Sequence, residues 1–260
     1  LSKSEYAALL PRAAMDVASA LKLVEPILAR VKSGDESELI KLATEFDGVT
    51  PKKIRVPKDV IEKALAALDP ALRQALEISI ERVRKVHQDQ IRQDKSTQVV
   101  AGGVVTEKWI PVDRVGLYVP GGSAIYPSSV MMNVVPAQIA KVASIAVASP
   151  PQKNNDGLPD PLILATCALL GIDEIYAVGG AQAIALFAYG MKELCEKCDL
   201  VTGPGNIYVA AAKRALRGVV GIDSEAGPTE TAIVADESAD AALVATDLIS
   251  QAEHDKLAAS

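Results

Sequence analysis

Four glycine-bearing turns and one pair of ligand-type side chains are the residues whose types and spacing could do chemistry. The turns are PGGS at 120–123, VGGAQ at 178–182, TGPGN at 202–206 and EAGPTE at 225–230. Each follows a short run rich in β-branched and aliphatic residues, and the first three run on into a helix-like apolar segment. Glycine at such a turn permits positive φ and close approach of the backbone to a ligand. The helix that follows offers unpaired N–H groups to an anion such as a pyrophosphate. No G-x-G-x-x-G fingerprint is present, and any single βα turn favours glycine. Four polar turns on one expected sheet edge point to a nucleotide or another phosphate-bearing ligand.

The ligand-type pair is Gln251 and His254 in SQAEHD. Three residues apart on a helix, they share one face and could reach one ion. A neutral imidazole is a good zinc ligand and an amide oxygen a weaker one. The spacing alone is equally that of an ordinary polar helix face. Four further residues read as structural. His87, in RKVHQDQ, belongs to a charged, solvated helix face, and Cys167, in ILATCALLG, belongs to a core. Cys195 and Cys198 form a C-x-x-C with no second cysteine pair, which reads as two free thiols rather than a zinc or redox site.

Around these residues the sequence supplies positioning elements. Residues 1 to about 94 carry apolar residues at three-to-four spacing, interrupted at SGDES and again at Asp69-Pro70, where proline suits a first helical turn. QVVAGGVVTEKWIPV predicts a hairpin about Gly102-Gly103, with Trp109 in a core or interface. From Arg114 onward, strands and helices alternate: RVGLYV, SIAVAS, EIYAV, CDLVTG, VVGIDS and TAIVAD as strands, with helices between them and a last one in DAALVATDLISQAEHD. That alternation predicts an α/β fold, a parallel-sheet Rossmann-like domain with helices on both faces over 113–260, preceded by a helical segment over 1–112 that ends in the hairpin.

Composition narrows the partners. Nearly half of the 260 residues are hydrophobic but only 3% are aromatic, a mix that favours tight helix-on-sheet packing. A net charge of -6 with no basic stretch argues against nucleic acid. No apolar run reaches bilayer length, and the first residues lack the basic-then-apolar pattern of a signal peptide, so a cytoplasmic protein without a membrane partner is expected.

Taken together, VGLYVPGGSA at 115–124, VGGAQAIA at 178–185, TGPGNIYVAAAKR at 202–214, GIDSEAGPTE at 221–230 and DLISQAEHD at 247–255 resemble the histidinol dehydrogenase family. The segment at 33–48 fits too, and PSSVMMNVVPAQ and QAEHDKLAAS give an actinobacterial flavour. The resemblance implies NAD-dependent oxidation of L-histidinol to L-histidine through an enzyme-held histidinaldehyde, in a zinc-containing homodimer. It implies NAD contacts at Tyr118, Gln182 and Asn206, and substrate contacts at Thr229, Gln251 and His254. Gln251 and His254 would also be zinc ligands. Thr229 stands where the family often has Ser and keeps the hydroxyl. The resemblance also places the Glu-His pair for acid/base work, and the remaining Asp and His zinc ligands, beyond residue 260, so the 260 residues alone are expected to be inactive. A non-catalytic binding or assembly module is the alternative. A dehydrogenase with a nucleophilic cysteine is disfavoured, because Cys167 sits in a core-type helix.

Overall fold

The computed structural model describes residues 2, 17–121, 125–225, 230–254 and 258–260. Four helices come first: α1 Val17–Ser33, α2 Glu36–Phe46, α3 Lys58–Ala66 and α4 Pro70–Asp89. Their ends follow from short polar residues. Asp35 accepts the Ser37 N–H and opens α2. Asp69 accepts the Ala71 and Leu72 N–H groups and opens α4, with Pro70 in the first turn, where its missing donor costs nothing. The hairpin follows, β1 Lys95–Val100 paired antiparallel with β2 Gly103–Glu107. It stands clear of the core, with Val99, Val100, Val104 and Val105 exposed. Trp109 is not a core residue of this chain. It is 46% exposed, with the Arg92 guanidinium 4.5 Å above its ring.

The alternating segment forms a five-stranded parallel sheet. Its strands are β3 Arg114–Tyr118, β4 Ser144–Ser149, β5 Ile175–Ala177, β6 Leu200–Thr202 and β7 Gly221–Ile222, in the order β5-β4-β3-β6-β7. Between them run α5 Pro127–Ile139, α6 Pro161–Leu169, α7 Gly180–Tyr189 and α8 Ile207–Ala215. The chain starts at the centre with β3, moves outward through β4 and β5, then crosses back to β6 on the other side of β3. That reversal makes the gap between β3 and β6 the switch point, where open parallel sheets have a crevice beyond the strands' carboxyl ends.

Side-chain alternation divides the core in two. Val115, Leu117, Val147, Ile175 and Ala177 face one layer, which α3, α4, α5 and α6 complete through residues such as Ile61, Leu76, Val134 and Ile163. Tyr118, Ala146, Ala148, Tyr176 and Val201 face the other, covered by α1, α2, α7 and α8 through residues such as Val24, Leu42, Phe187 and Ala212. The N-terminal helices thus finish both layers: α1 packs on α7 and α8, α3 on α6, and α4 on α5. Gly116 in β3 permits this closeness, since a β-carbon there would stand 2.4 Å from the Phe187 ring.

The expected strand in TAIVAD does not form. Among the described residues there is only the isolated bridge from Glu230, just before the segment, to Ala259, with the Thr231 N–H donating to the Ala259 carbonyl, and Val234 is fully exposed. A strand exists only where a neighbour pairs its backbone, and among the described residues none lies along the rest of the segment. VVGIDS likewise shrinks to the two residues of β7. The last helix, α9 Ala241–His254, forms as expected, but Leu243 and Ile249 on it are each 67% exposed. No described helix is long and apolar enough to cross a membrane.

Candidate functional site

The carboxyl ends of the strands carry a cleft of about 810 Å³. Tyr118 enters it from the end of β3, Pro150 to Asn154 from the loop after β4, Gly180 to Gln182 from the first turn of α7, Asn206 from the turn after β6 and Tyr208 from the first turn of α8. Leu23 and Ile27 of α1, Phe46 of α2 and Val49 form an apolar wall opposite. Three turns far apart in sequence therefore meet in one groove, and Tyr118, Gln182 and Asn206 lie together in it.

Each of the three has a structural job as well as an open one. The Tyr118 hydroxyl accepts the Gly180 N–H at 3.1 Å, which ties the end of β3 to the first turn of α7. Burial, with some repulsion from nearby Asp47, pushes the Tyr118 phenol up to about 12, so it stays protonated and keeps an O–H to donate. Gln182 is almost fully buried in the first turn of α7. Asn206 caps α8, its side-chain oxygen accepting from Tyr208 N at 3.1 Å and Val209 N at 3.2 Å. That leaves its NH2 group to face a ligand.

The TGPGN turn is held by a buried ion pair. Lys213 of α8, 1% exposed, donates to Asp223 Oδ1 at 2.6 Å and to the Gly203 carbonyl at 2.5 Å. The other Asp223 oxygen accepts the Gly203 N–H at 2.9 Å. Both sides of Gly203 are clamped, in a conformation with φ +119°, against the backbone of Tyr118. At the opposite, amino-terminal edge of the sheet, Arg114 donates to Glu174 of the Asp173-Glu174 turn and to Ser144. Burial opposes the Glu174 charge, yet the hydrogen bonds from Arg114 and Tyr176 hold its carboxyl below the usual range. This network fastens strand starts and is remote from the cleft.

Sequence reasoning passed over Asp47. It follows the last residue of α2, and in EFDG it reads as an ordinary helix end. The structure puts it in the cleft wall with Oδ2 buried and without a hydrogen-bond partner among the described residues. Burial pushes its carboxyl from 3.8 up to about 6. The Tyr118 phenol lies beside it, while the Lys153 ammonium ends against Gly48 rather than on the carboxylate. Because the folded value lies above the ordinary one, the folded chain holds this proton more tightly than the unfolded chain. The resulting stabilisation is complete below about pH 4 and is lost as pH rises through about 6. Asp47→Asn should therefore gain in thermal midpoint relative to the unaltered protein between about pH 4 and pH 7, with a level gap above. A gap of constant size across that range contradicts the reading.

The three cysteines are free and buried. Burial pushes the Cys167 thiol far up and the Cys198 thiol up to about 12, which is the opposite of an activated nucleophile.

The model of the family described as "Histidinol dehydrogenase" matches residues 10–260. The chain belongs to the histidinol dehydrogenase family. The histidinol dehydrogenase of Thermobifida fusca is 65% identical over 251 residues, covering 96% of this chain and 57% of that protein. That of Nocardia farcinica is 59% identical over 263 residues, covering 100% of this chain and 59% of that protein. Both are actinobacterial, as the sequence motifs suggested. The crystal structure of histidinol dehydrogenase from Elizabethkingia anophelis superposes with a TM-score of 0.89 at 35% identity, over 99% of this chain and 59% of that one. The chain thus spans less than two thirds of the length of these histidinol dehydrogenases.

The remaining site residues are only partly described. Thr229 lies outside the described residues. Gln251 and His254 fall on α9, three residues apart and so on one face, with Gln251 half-buried; the side chain of His254 lies outside what is described. Among the described residues, no group of three or more His, Cys, Asp or Glu side chains could hold a metal.

Proposed function

We propose that a family-length protein carrying this chain oxidises L-histidinol to L-histidine by way of a bound histidinaldehyde, reducing two NAD in turn, as a step of histidine biosynthesis in the cytoplasm. Membership of the histidinol dehydrogenase family over residues 10–260 is the observation that carries it.

NAD fits the residues present. The cleft is large enough for a dinucleotide. The glycine turn at 179–180 and the N-terminus of α7 offer backbone donors suited to a pyrophosphate. The Tyr118 O–H, the Gln182 amide and the Asn206 NH2 supply directional polar contacts around it. NAD, when bound, accepts the hydride. The chain's part is to place the nicotinamide against the carbinol carbon and to keep water out.

Zinc is not accommodated by the described residues alone. A four-coordinate site needs more than Gln251 and His254. The remaining ligands of a zinc site begun by Gln251 and His254 would come from outside these residues. A homodimer belongs to the same proposal.

The test is NADH formation by the family-length protein with histidinol against simple alcohols. Asn206→Ser keeps the helix cap but removes the NH2 group. Its expected effect is a KM for NAD raised by about ten-fold, the cost of about one hydrogen bond, with the thermal midpoint nearly unchanged. Equal turnover of simple alcohols would contradict the substrate, and an unchanged KM the cofactor contact.

A further inference from the structure

The described carboxylates that touch the core are satisfied, with one exception. Glu174 receives Arg114 and Tyr176, Asp223 receives Lys213 and the Gly203 N–H, and Glu36 accepts the Ile54 N–H at 2.8 Å. Asp47 has one buried oxygen, Oδ2, with no partner among the described residues. It makes no cap hydrogen bond with its side chain either; only its backbone N–H closes α2, donating to the Ala43 carbonyl. The residue itself is half-buried and lines the cleft, so its carboxylate is placed to meet the donors of a bound group.

Its place in the cleft says which group. On one side stands the apolar wall of Leu23, Ile27, Phe46 and Val49, suited to a flat purine ring. On the other is the glycine turn at the start of α7: Asp47 Oδ1 lies 3.0 Å from where a β-carbon on Gly179 would stand. That turn suits the pyrophosphate. In a dinucleotide, the piece between purine and pyrophosphate is the adenosine ribose, and its hydroxyls are donors a carboxylate can accept. We propose that Asp47 accepts the hydroxyl hydrogens of the adenosine ribose and selects against a dinucleotide phosphorylated at the 2′ position. The inference rests on the dinucleotide reading of the cleft. A 2′-phosphate would bring about two further negative charges against a half-buried carboxylate. Lys153 is the only cation among the described residues lining the cleft, and it ends beside Gly48 rather than on Asp47.

The experiment is calorimetric titration of NAD, NADP and 2′-deoxy-NAD into the unaltered family-length protein, Asp47→Ala and Asp47→Asn, with the thermal midpoint of each. The unaltered protein should bind NAD about ten-fold or more tighter than either analogue. Asp47→Ala should lose about ten-fold or more for NAD and much less for NADP and 2′-deoxy-NAD, so that discrimination collapses. Asp47→Asn, which keeps one acceptor oxygen, should fall between. Neither variant should melt below the unaltered protein, because each removes an unmet buried charge. NAD affinity and NAD-to-NADP ratio unchanged in Asp47→Ala would overturn the assignment while leaving the cleft reading intact. An unaltered protein that binds neither dinucleotide would overturn both.

Discussion

Residues 1–260 on their own should form no measurable NADH from histidinol, even with excess zinc and NAD. Removing the proton of a carbinol hydroxyl at neutral pH needs a positioned base, and general base catalysis is worth a factor of about 100 to 10,000. The chain has two histidines, and His87 is not placed for that work. His87 is on α4, its Nδ1 within 2.7 Å of Gln90 on an outward helix face. His254 is on α9, where the resemblance gives it to the metal. The comparison is the initial rate of NADH absorbance for the 260 residues against a family-length protein. Expected is a deficit of at least about 100-fold. A rate near that of the longer protein would show that the base lies within this chain and that the site has been misread.

Gly203→Ala should be the most damaging single substitution near the cleft. A β-carbon there would stand 2.0 Å from the Tyr118 carbonyl oxygen, at φ +119°. Both the close backbone approach and the conformation exclude a side chain, and neither can relax alone, because Lys213 and Asp223 grip the same residue from both sides. The cost should be about 3 kcal/mol or more. For a chain of this size that lowers the thermal midpoint by roughly 6 °C or more. The same shift moves the ends of β3 and β6 apart, carrying Tyr118 and Asn206 with them, so NAD affinity should fall by about ten-fold or more. A thermal midpoint within a degree or two of the unaltered protein would mean that the clamp gives way easily and does not position the cleft.

Much of this architecture was legible in the residues. Short β-branched runs with glycine turns and alanine-rich helices at regular spacing can hardly pack otherwise than as a doubly covered parallel sheet, and Asp35, Asp69 and Pro70 mark helix starts where the structure has them. The gathering of the described part of PGGS with VGGAQ and TGPGN at one edge followed from parallel strand direction; Gly121, Gly180 and Asn206 line the same cleft. TAIVAD misled because periodicity reports a residue's fitness for a strand and not the presence of a neighbour to pair with. Asp47 was illegible for a related reason. An aspartate after a helix is common, and only the fold reveals that its oxygen is buried and unmet. The Arg114 network was equally hidden, since Ser144, Glu174 and Arg114 are brought together by sheet order rather than by spacing.

The claim at the centre is that the carboxyl-edge cleft between β3 and β6 holds the dinucleotide. The most direct measurement is a crystal structure of the family-length protein with NAD. The dinucleotide should lie across the ends of β3 and β6, its pyrophosphate at the N-terminus of α7, with polar atoms of Tyr118, Gln182 and Asn206 within about 3.5 Å of it. NAD bound at the amino-terminal edge beside Arg114 and Glu174, or on a surface that none of these three residues reaches, would contradict it.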